Sequence, residues 1–173
     1  TAMVGLINAL LRRATREPLP ASNSLAVQTS HPDWMVAAFG NDAQRTRHLA
    51  PLARGEKLGC FCLTEPHVGS DAGAITTRAQ RDGDGYVLNG VKQFITTGKN
   101  AGVAVVFAVT DKAAGKKGIS AFLVPTSTPG YGVARVEEKL GQRASDTAQI
   151  VFENCRVPAA NLLGSEGQGY RIA

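Results

Sequence analysis

Residues 61–71 read Phe61-Cys62-Leu63-Thr64-Glu65-Pro66-His67-Val68-Gly69-Ser70-Asp71, and their reading organises the rest of the chain. The stretch begins like a buried strand and ends like a loop. Alternation turns Phe61, Leu63 and Glu65 to one side and Cys62 and Thr64 to the other. Pro66 has no amide to donate and ends a ladder. Gly69 permits close approach or a positive φ. Ser70 and the local amides can donate to anionic oxygens. A turn needs one or two such residues; here hydroxyls, an acid and a glycine stand together. Spacing alone gives two readings, an anion-binding loop at a strand end or an ornate turn.

Before this stretch, residues 1–54 read as helical. Ala2, Met3, Val4, Leu6, Ile7, Ala9, Leu10 and Leu11 form a broad apolar face, with Arg12 and Arg13 suited to a helix C-terminus. Pro18 and Pro20 break it, and short helical segments are expected over 24–28 and 33–39, the latter stopped by Gly40. Asn41 and Gln44 have the spacing of a capping box for a helix that ends by Pro51.

From residue 57 to 158 the period changes to strands and turns. Strands are expected over 58–64, 75–81, 86–88, 91–97, 103–110, 119–124, 133–138 and 147–153, and at Arg156-Val157. Asp82-Gly83-Asp84-Gly85 reads as a hairpin turn and Asn89-Gly90 as a second turn. These elements predict an α+β chain: a short all-α N-terminal segment, then an antiparallel β-barrel or sandwich. The expected division is 1–56, 57–160 and 161–173, with the glycines of 164–169 leading into a further helix. The loop 113–118, with Lys116 and Lys117, reads as an exposed hairpin connection.

A hydrophobic fraction of 43% and a charged fraction of 19% fit a globular domain, and the apolar runs are too short to span a bilayer. A net charge of +5 suits a solvated basic surface or attraction to phosphates. Aromatic residues at 6% show no regular interleaving with basic ones, which argues against a single-strand nucleic-acid platform. Cys60, Cys62 and Cys155 match no zinc spacing and read as buried reduced thiols of a cytoplasmic protein; no metal is expected. The chain starts at Thr1 and stops at Ala173 without a closing turn, so a fragment is expected.

A second stretch, Val91-Lys92-Gln93-Phe94-Ile95-Thr96-Thr97-Gly98, places another aromatic and another hydroxyl at a strand end. Taken with Leu63-Thr64-Glu65-Pro66, Gly69-Ser70-Asp71 and Asn89-Gly90, its order and spacing resemble the acyl-CoA dehydrogenase family. Gly141-Gln142-Arg143, Ser145-Asp146-Thr147, Arg156-Val157-Pro158, Asn161-Leu162-Leu163-Gly164 and Gly167-Gln168-Gly169 fit the same pattern. So do Phe39-Gly40, Gln44-Arg45, Leu49-Ala50-Pro51-Leu52-Ala53 and Gly55-Glu56. The resemblance runs from about residue 22 onward.

That resemblance implies the end of a helical domain, a complete flavin-binding β domain and the threshold of a C-terminal helical domain. It implies FAD as cofactor, an acyl-CoA thioester as substrate, and α,β-dehydrogenation with hydride transfer to flavin N5. Phe61, Cys62, Leu63, Thr64, Gly69 and Ser70 would form the first flavin segment, and Phe94, Ile95 and Thr96 the second. Thr64 would bond the pyrimidine edge, and Thr96 would meet N5 or the neighbouring carbonyl. Phe94 would lie against the ring system, while Gly69 and Ser70 approach the diphosphate. Ser70 would also touch the acyl-CoA. No catalytic residue is expected in this chain; the family's base, a glutamate, would lie after Ala173.

An electron-transfer flavoprotein would be the acceptor, and a dimer or tetramer the assembly. An acyl-CoA oxidase or flavin monooxygenase of the same fold, and a DNA-associated flavoprotein relative, are the alternatives. His67-Val68 stand where small residues are common, Phe94 where many relatives have tryptophan, and Thr97 where asparagine is common. Glu65 and Asp71 read as loop-fixing acceptors, Arg143 with Asp146 as a structural ion pair, and residues 137–139 as a solvated strand end.

Overall fold

The computed structural model describes residues 31–173. The helices expected within residues 1–30 lie outside the described residues. Helix α1, His31–Phe39, stops at Gly40, whose amide bonds back to the Val36 carbonyl at 2.9 Å. The capping box forms at α2, Asp42–Gln44. Asn41 Oδ1 accepts from the Gln44 amide at 2.9 Å, and Gln44 Oε1 accepts from the Asn41 amide at 3.1 Å. Gln44 also donates its side-chain amide to the carbonyls of Ala160 and Leu162, which ties this cap to the far end of the chain.

The helix passes Pro51 rather than ending there. A π turn, Arg45–Leu49, leads into α3, Ala50–Ala53, and Pro51 falls in the first turn of that segment. The π turn that directly precedes this segment loosens the regular bonding of the helix at the place where proline can donate no amide.

Eight strands follow: β1 Gly59–Cys62, β2 Arg78–Asp82, β3 Gly85–Thr96, β4 Val103–Val109, β5 Ile119–Pro125, β6 Tyr131–Val136, β7 Thr147–Pro158 and β8 Leu162–Leu163. A short helix, α4, Gly169–Ile172, ends the described residues. The sheet runs β6-β7-β3-β2-β4-β5-β8, with β1 beside β4. It does not close into a barrel and is sandwich-like. Pairing is not purely antiparallel: β1 lies parallel to β4, and β2 meets β4 in a parallel contact at Arg78 and Val109. The β2–β3 hairpin fills the connection between β1 and β4, giving the long crossover that parallel neighbours require.

The continuous apolar run of β4 is explained by burial on both faces. Val103, Val105 and Phe107 join Met35, Val36, Leu49 and Leu52 of the helices and Leu123 of β5 in one core. Ala104, Val106 and Ala108 enter the second core, with Ile95, Phe122, Ile150 and Phe152. Cys60 and Cys62 share that second core, on one side of β1 as alternation requires. Among the described residues no helix is long and apolar enough to cross a membrane.

Asn89-Gly90 is not a turn. The expected strands at 86–88 and 91–97 are one strand, β3, with register shifts between Leu88 and Gly90 and between Lys92 and Ile95. The first is a bulge made by close packing. Gly90 has φ +153°, and a Cβ there would sit 2.4 Å from Thr77 Oγ1 and 2.7 Å from Thr77 Cα. The partner strand absorbs the break, since Asn89 Oδ1 accepts from the Asn154 amide at 2.8 Å. Likewise Arg156-Val157 is not a separate strand but continues β7, past a left-handed Asn154 at φ 49°.

Candidate functional site

The two stretches singled out in the sequence meet. The Gln93 amide donates to the Thr64 carbonyl at 2.8 Å, where β1 has ended and β3 is at its second bulge. Beneath that contact lies a charged pair removed from water. Lys92 is 0% exposed and Glu65 is 4% exposed. The Lys92 ammonium donates to Glu65 Oε1 at 2.9 Å and to the Leu63 carbonyl at 3.0 Å. Glu65 also accepts from the Thr76 amide and hydroxyl, both at 2.7 Å, and from the Thr77 amide at 2.9 Å. Every partner is a donor, as an ionised carboxylate requires.

Burial pushes the Glu65 carboxyl up, but Lys92 and the bonds from Thr77 and Thr76 override it and hold the group at about 2. Burial pushes the Lys92 ammonium down, against the pull of Glu65.

Glu65 thus fixes the loop, as its place before Pro66 suggests. The Glu65 and Val68 amides exchange bonds with each other's carbonyls at 2.9 and 3.1 Å, closing the bend at Pro66-His67. Beyond it Gly69 and Ser70 are exposed. Nothing in the fold demands glycine at 69: its φ is not positive, and a Cβ would meet no atom within 4 Å. The space above it is open to a ligand. Asp71 departs from expectation: the bond it accepts, from the Ala74 amide, lands on its main-chain carbonyl, with no side-chain cap.

Phe94 is the most irregular residue of the site. It has φ 57°, a left-handed backbone, yet carries a large ring that is 63% exposed. Such backbone costs on the order of 1–2 kcal/mol for a non-glycine residue. Thr97 is also left-handed at φ 63°, and Thr96 between them is exposed. Thr64 and Leu63 are half-buried, and Phe61 packs its ring 5.1 Å from Phe107. Cys62 and Ile95 are 0% and 2% exposed within the core, so only their main chain faces the site. Burial first, then Cys60, raises the Cys62 thiol well above its usual range.

The bulge is held from below by side chains that the sequence reading missed. Gln93 donates to Glu137 Oε1 at 2.8 Å, Gln149 donates to Gln93 at 2.5 Å, and Arg135 donates to the same Glu137 oxygen at 2.7 Å. Glu137 is therefore no solvated strand end but part of the support. Lys139 bonds the Ser145 carbonyl. The expected Arg143–Asp146 ion pair does not form. Arg143 Nε donates to the Lys139 carbonyl at 2.8 Å, whereas Asp146 accepts from the Lys99 amide and the Asn100 side chain.

Lys92 was missed as well. Strict alternation puts it on the same side as Phe94, and the bulge between Lys92 and Ile95 sends one inward and the other outward. An acid locked before proline, as Glu65 is, was the available signal that a buried partner existed. Among the described residues no group of three or more His, Cys, Asp or Glu could hold a metal ion.

A flat exposed ring, two hydroxyls at adjoining strand ends and an open glycine-serine bend fit a planar aromatic ligand with a polar edge and an anionic tail. FAD has that chemistry. Residues 60–155 match the model of the acyl-CoA dehydrogenase middle domain. The chain is 51% identical over 138 residues to the short-chain specific acyl-CoA dehydrogenase of Rattus norvegicus, covering 80% of this chain and 34% of that protein. The chain thus spans about a third of that relative's length. The butyryl-CoA dehydrogenase structure from Megasphaera elsdenii superposes with a TM-score of 0.79 at 40% identity, over 98% of this chain and 44% of that one. A glutaryl-CoA dehydrogenase from Mycobacterium smegmatis in complex with FADH2 gives 0.75 at 40% identity, over 85% of this chain and 37% of that one.

Proposed function

The chain belongs to the acyl-CoA dehydrogenase family, and from that premise we propose that it is the flavin-carrying part of an FAD-dependent dehydrogenase of acyl-CoA thioesters. The observation that carries the proposal is the joint at Gln93 and Thr64, which brings the two candidate flavin segments side by side. FAD, when bound, supplies the two-electron acceptor. Thr64 and Thr96 would donate to its polar edge, where negative charge grows on reduction. Phe94 would cover the ring and exclude water. The Gly69-Ser70 bend would take the diphosphate, with Ser70 also facing the acyl-CoA. Main-chain groups of Phe61, Cys62, Leu63 and Ile95 would line the contact.

The proposed division stays at 1–56, 57–160 and 161–173, with the catalytic base supplied from beyond Ala173 and an electron-transfer flavoprotein as acceptor. A homo-oligomer, dimer or tetramer, and a cytoplasmic setting belong to the same proposal. The relatives' names favour short acyl chains.

The test is anaerobic titration of the full-length protein carrying this chain with butyryl-CoA. Bleaching of the flavin band is expected. No bleaching by any acyl-CoA thioester would overturn the dehydrogenase reading. Bleaching that oxygen alone reverses rapidly would assign the oxidase alternative instead.

A further inference from the structure

We propose that Lys92 and Glu65 are positioning residues for the flavin: their buried pair clamps residues 63–65 to residues 92–93, and the ammonium on the Leu63 carbonyl strengthens the Thr64 amide as a donor to the ligand's edge. The inference rests on the FAD reading above and deepens it.

The geometry is specific. Lys92 directly precedes Gln93, whose amide holds the Thr64 carbonyl at 2.8 Å, and its own ammonium holds the preceding carbonyl, Leu63, at 3.0 Å. Two consecutive carbonyls of the first segment are therefore gripped by two consecutive residues of the second. A cation on a peptide oxygen draws electron density from the amide on the other side of the same peptide plane, here that of Thr64. The carboxylate's remaining bonds come from Thr76 and Thr77, which hold it in place. The ammonium's second bond lands on the Leu63 carbonyl, in the peptide that carries the Thr64 amide.

A purely mechanical clamp needs no charge. Well-packed apolar side chains would join the segments at least as stably, because two ions taken out of water lose hydration that their attraction only partly restores. The pair is neutral as a whole but oriented: its positive end sits on the Leu63 carbonyl, one peptide group away from the Thr64 amide that would donate to the edge gaining negative charge on reduction. In a dry site such an oriented pair acts far more strongly than in water.

The experiment uses the full-length protein carrying this chain, in parent form and as the double variant Glu65→Gln/Lys92→Met. Removing both charges leaves neither buried and unpaired. Thermal midpoint, FAD dissociation constant from flavin fluorescence, and midpoint potential of the bound flavin are measured on each. The double variant is expected to fold with a lowered melting point, since the glutamine amide meets the Thr76 and Thr77 donors and the Leu63 carbonyl loses its donor. The folded protein is expected to bind FAD at least about tenfold more weakly and to lose about a further tenfold on the reduced form relative to the oxidised. That last loss reads as a potential about 30 mV lower for a two-electron couple. Should that variant not fold, Glu65→Gln/Lys92→Gln, whose second glutamine can still donate toward the Leu63 carbonyl without charge, is read in the same way. A folded neutral variant with parent affinity and parent potential would overturn the proposal and leave the FAD reading intact. A parent protein that binds no FAD would overturn both.

Discussion

Strands β4 and β3 cross the same sheet and are built on opposite rules. All seven residues of β4 pair with β5 without a shift, and all but the last are buried apolar side chains. Strand β3 runs for twelve residues, slips register twice against β7, buries a lysine and exposes a phenylalanine on a left-handed backbone. A regular strand between two cores spends every residue on packing. The irregular one gives up packing to aim side chains, at about 1–3 kcal/mol per strained residue, and holds because neighbours over-determine it. In this molecule β4 is given over to packing, and β3 carries candidate site residues as well.

Four measurements sharpen or break that contrast. The largest effect is expected from Phe107→Ala in β4, a loss of about 3–5 kcal/mol in denaturant unfolding; FAD affinity of the folded fraction should fall less than with Phe94→Gly, since Phe107 reaches the candidate site only through Phe61. If the loss is under about 1 kcal/mol, the division of labour is wrong. Next is Gly90→Ala in β3. A methyl group there overlaps Thr77 at a positive φ, so a loss of about 2–4 kcal/mol is expected from strain and overpacking together.

Third is acid. The Glu65 carboxyl lies at about 2, below its ordinary 4.5, so its stabilisation is complete above pH 4.5 and disappears as pH falls through 2. His48 loses stability earlier. Burial, then Arg47 and Lys57, lowers it from 6.5 to about 4, so the unfolded chain takes up its proton first and stability declines as pH falls from 6.5 to 4. Equilibrium unfolding followed across both windows should show two descending steps, and His48→Gln should remove the first alone.

The smallest effect has the opposite sign. Phe94→Gly relieves a left-handed φ at an exposed site and should stabilise the fold by about 1 kcal/mol while weakening FAD binding. A destabilised Phe94→Gly protein would show that the ring is packed for the fold rather than presented to a ligand.

The same contrast explains what the sequence made legible. Strand β4 could be read from its apolar run, and the cap at Asn41 and Gln44 from its spacing, because each depends on local pattern. Both candidate segments were legible as strand ends bearing hydroxyls. Asn89-Gly90 misled because the same dipeptide serves a tight turn or a bulge, and only Thr77, distant in sequence, decides between them. Lys92 and Gln93 were illegible as support because a bulge shifts inside to outside by one residue, which no period can register. Arg143 and Asp146 were paired by proximity in sequence, yet each found nearer main-chain or amide partners.

The parallel seam between β1 and β4 also sets an order of events. β1 leads directly into the candidate flavin loop, but its ladder partner among the described residues is made after the whole β2–β3 hairpin. Closing so long an excursion costs chain entropy before any contact repays it, so β1 docks late, after the local hairpins have formed. The loop beyond β1 is therefore expected among the last parts of the molecule to take shape, so that capture of the FAD proposed above would close folding rather than seed it.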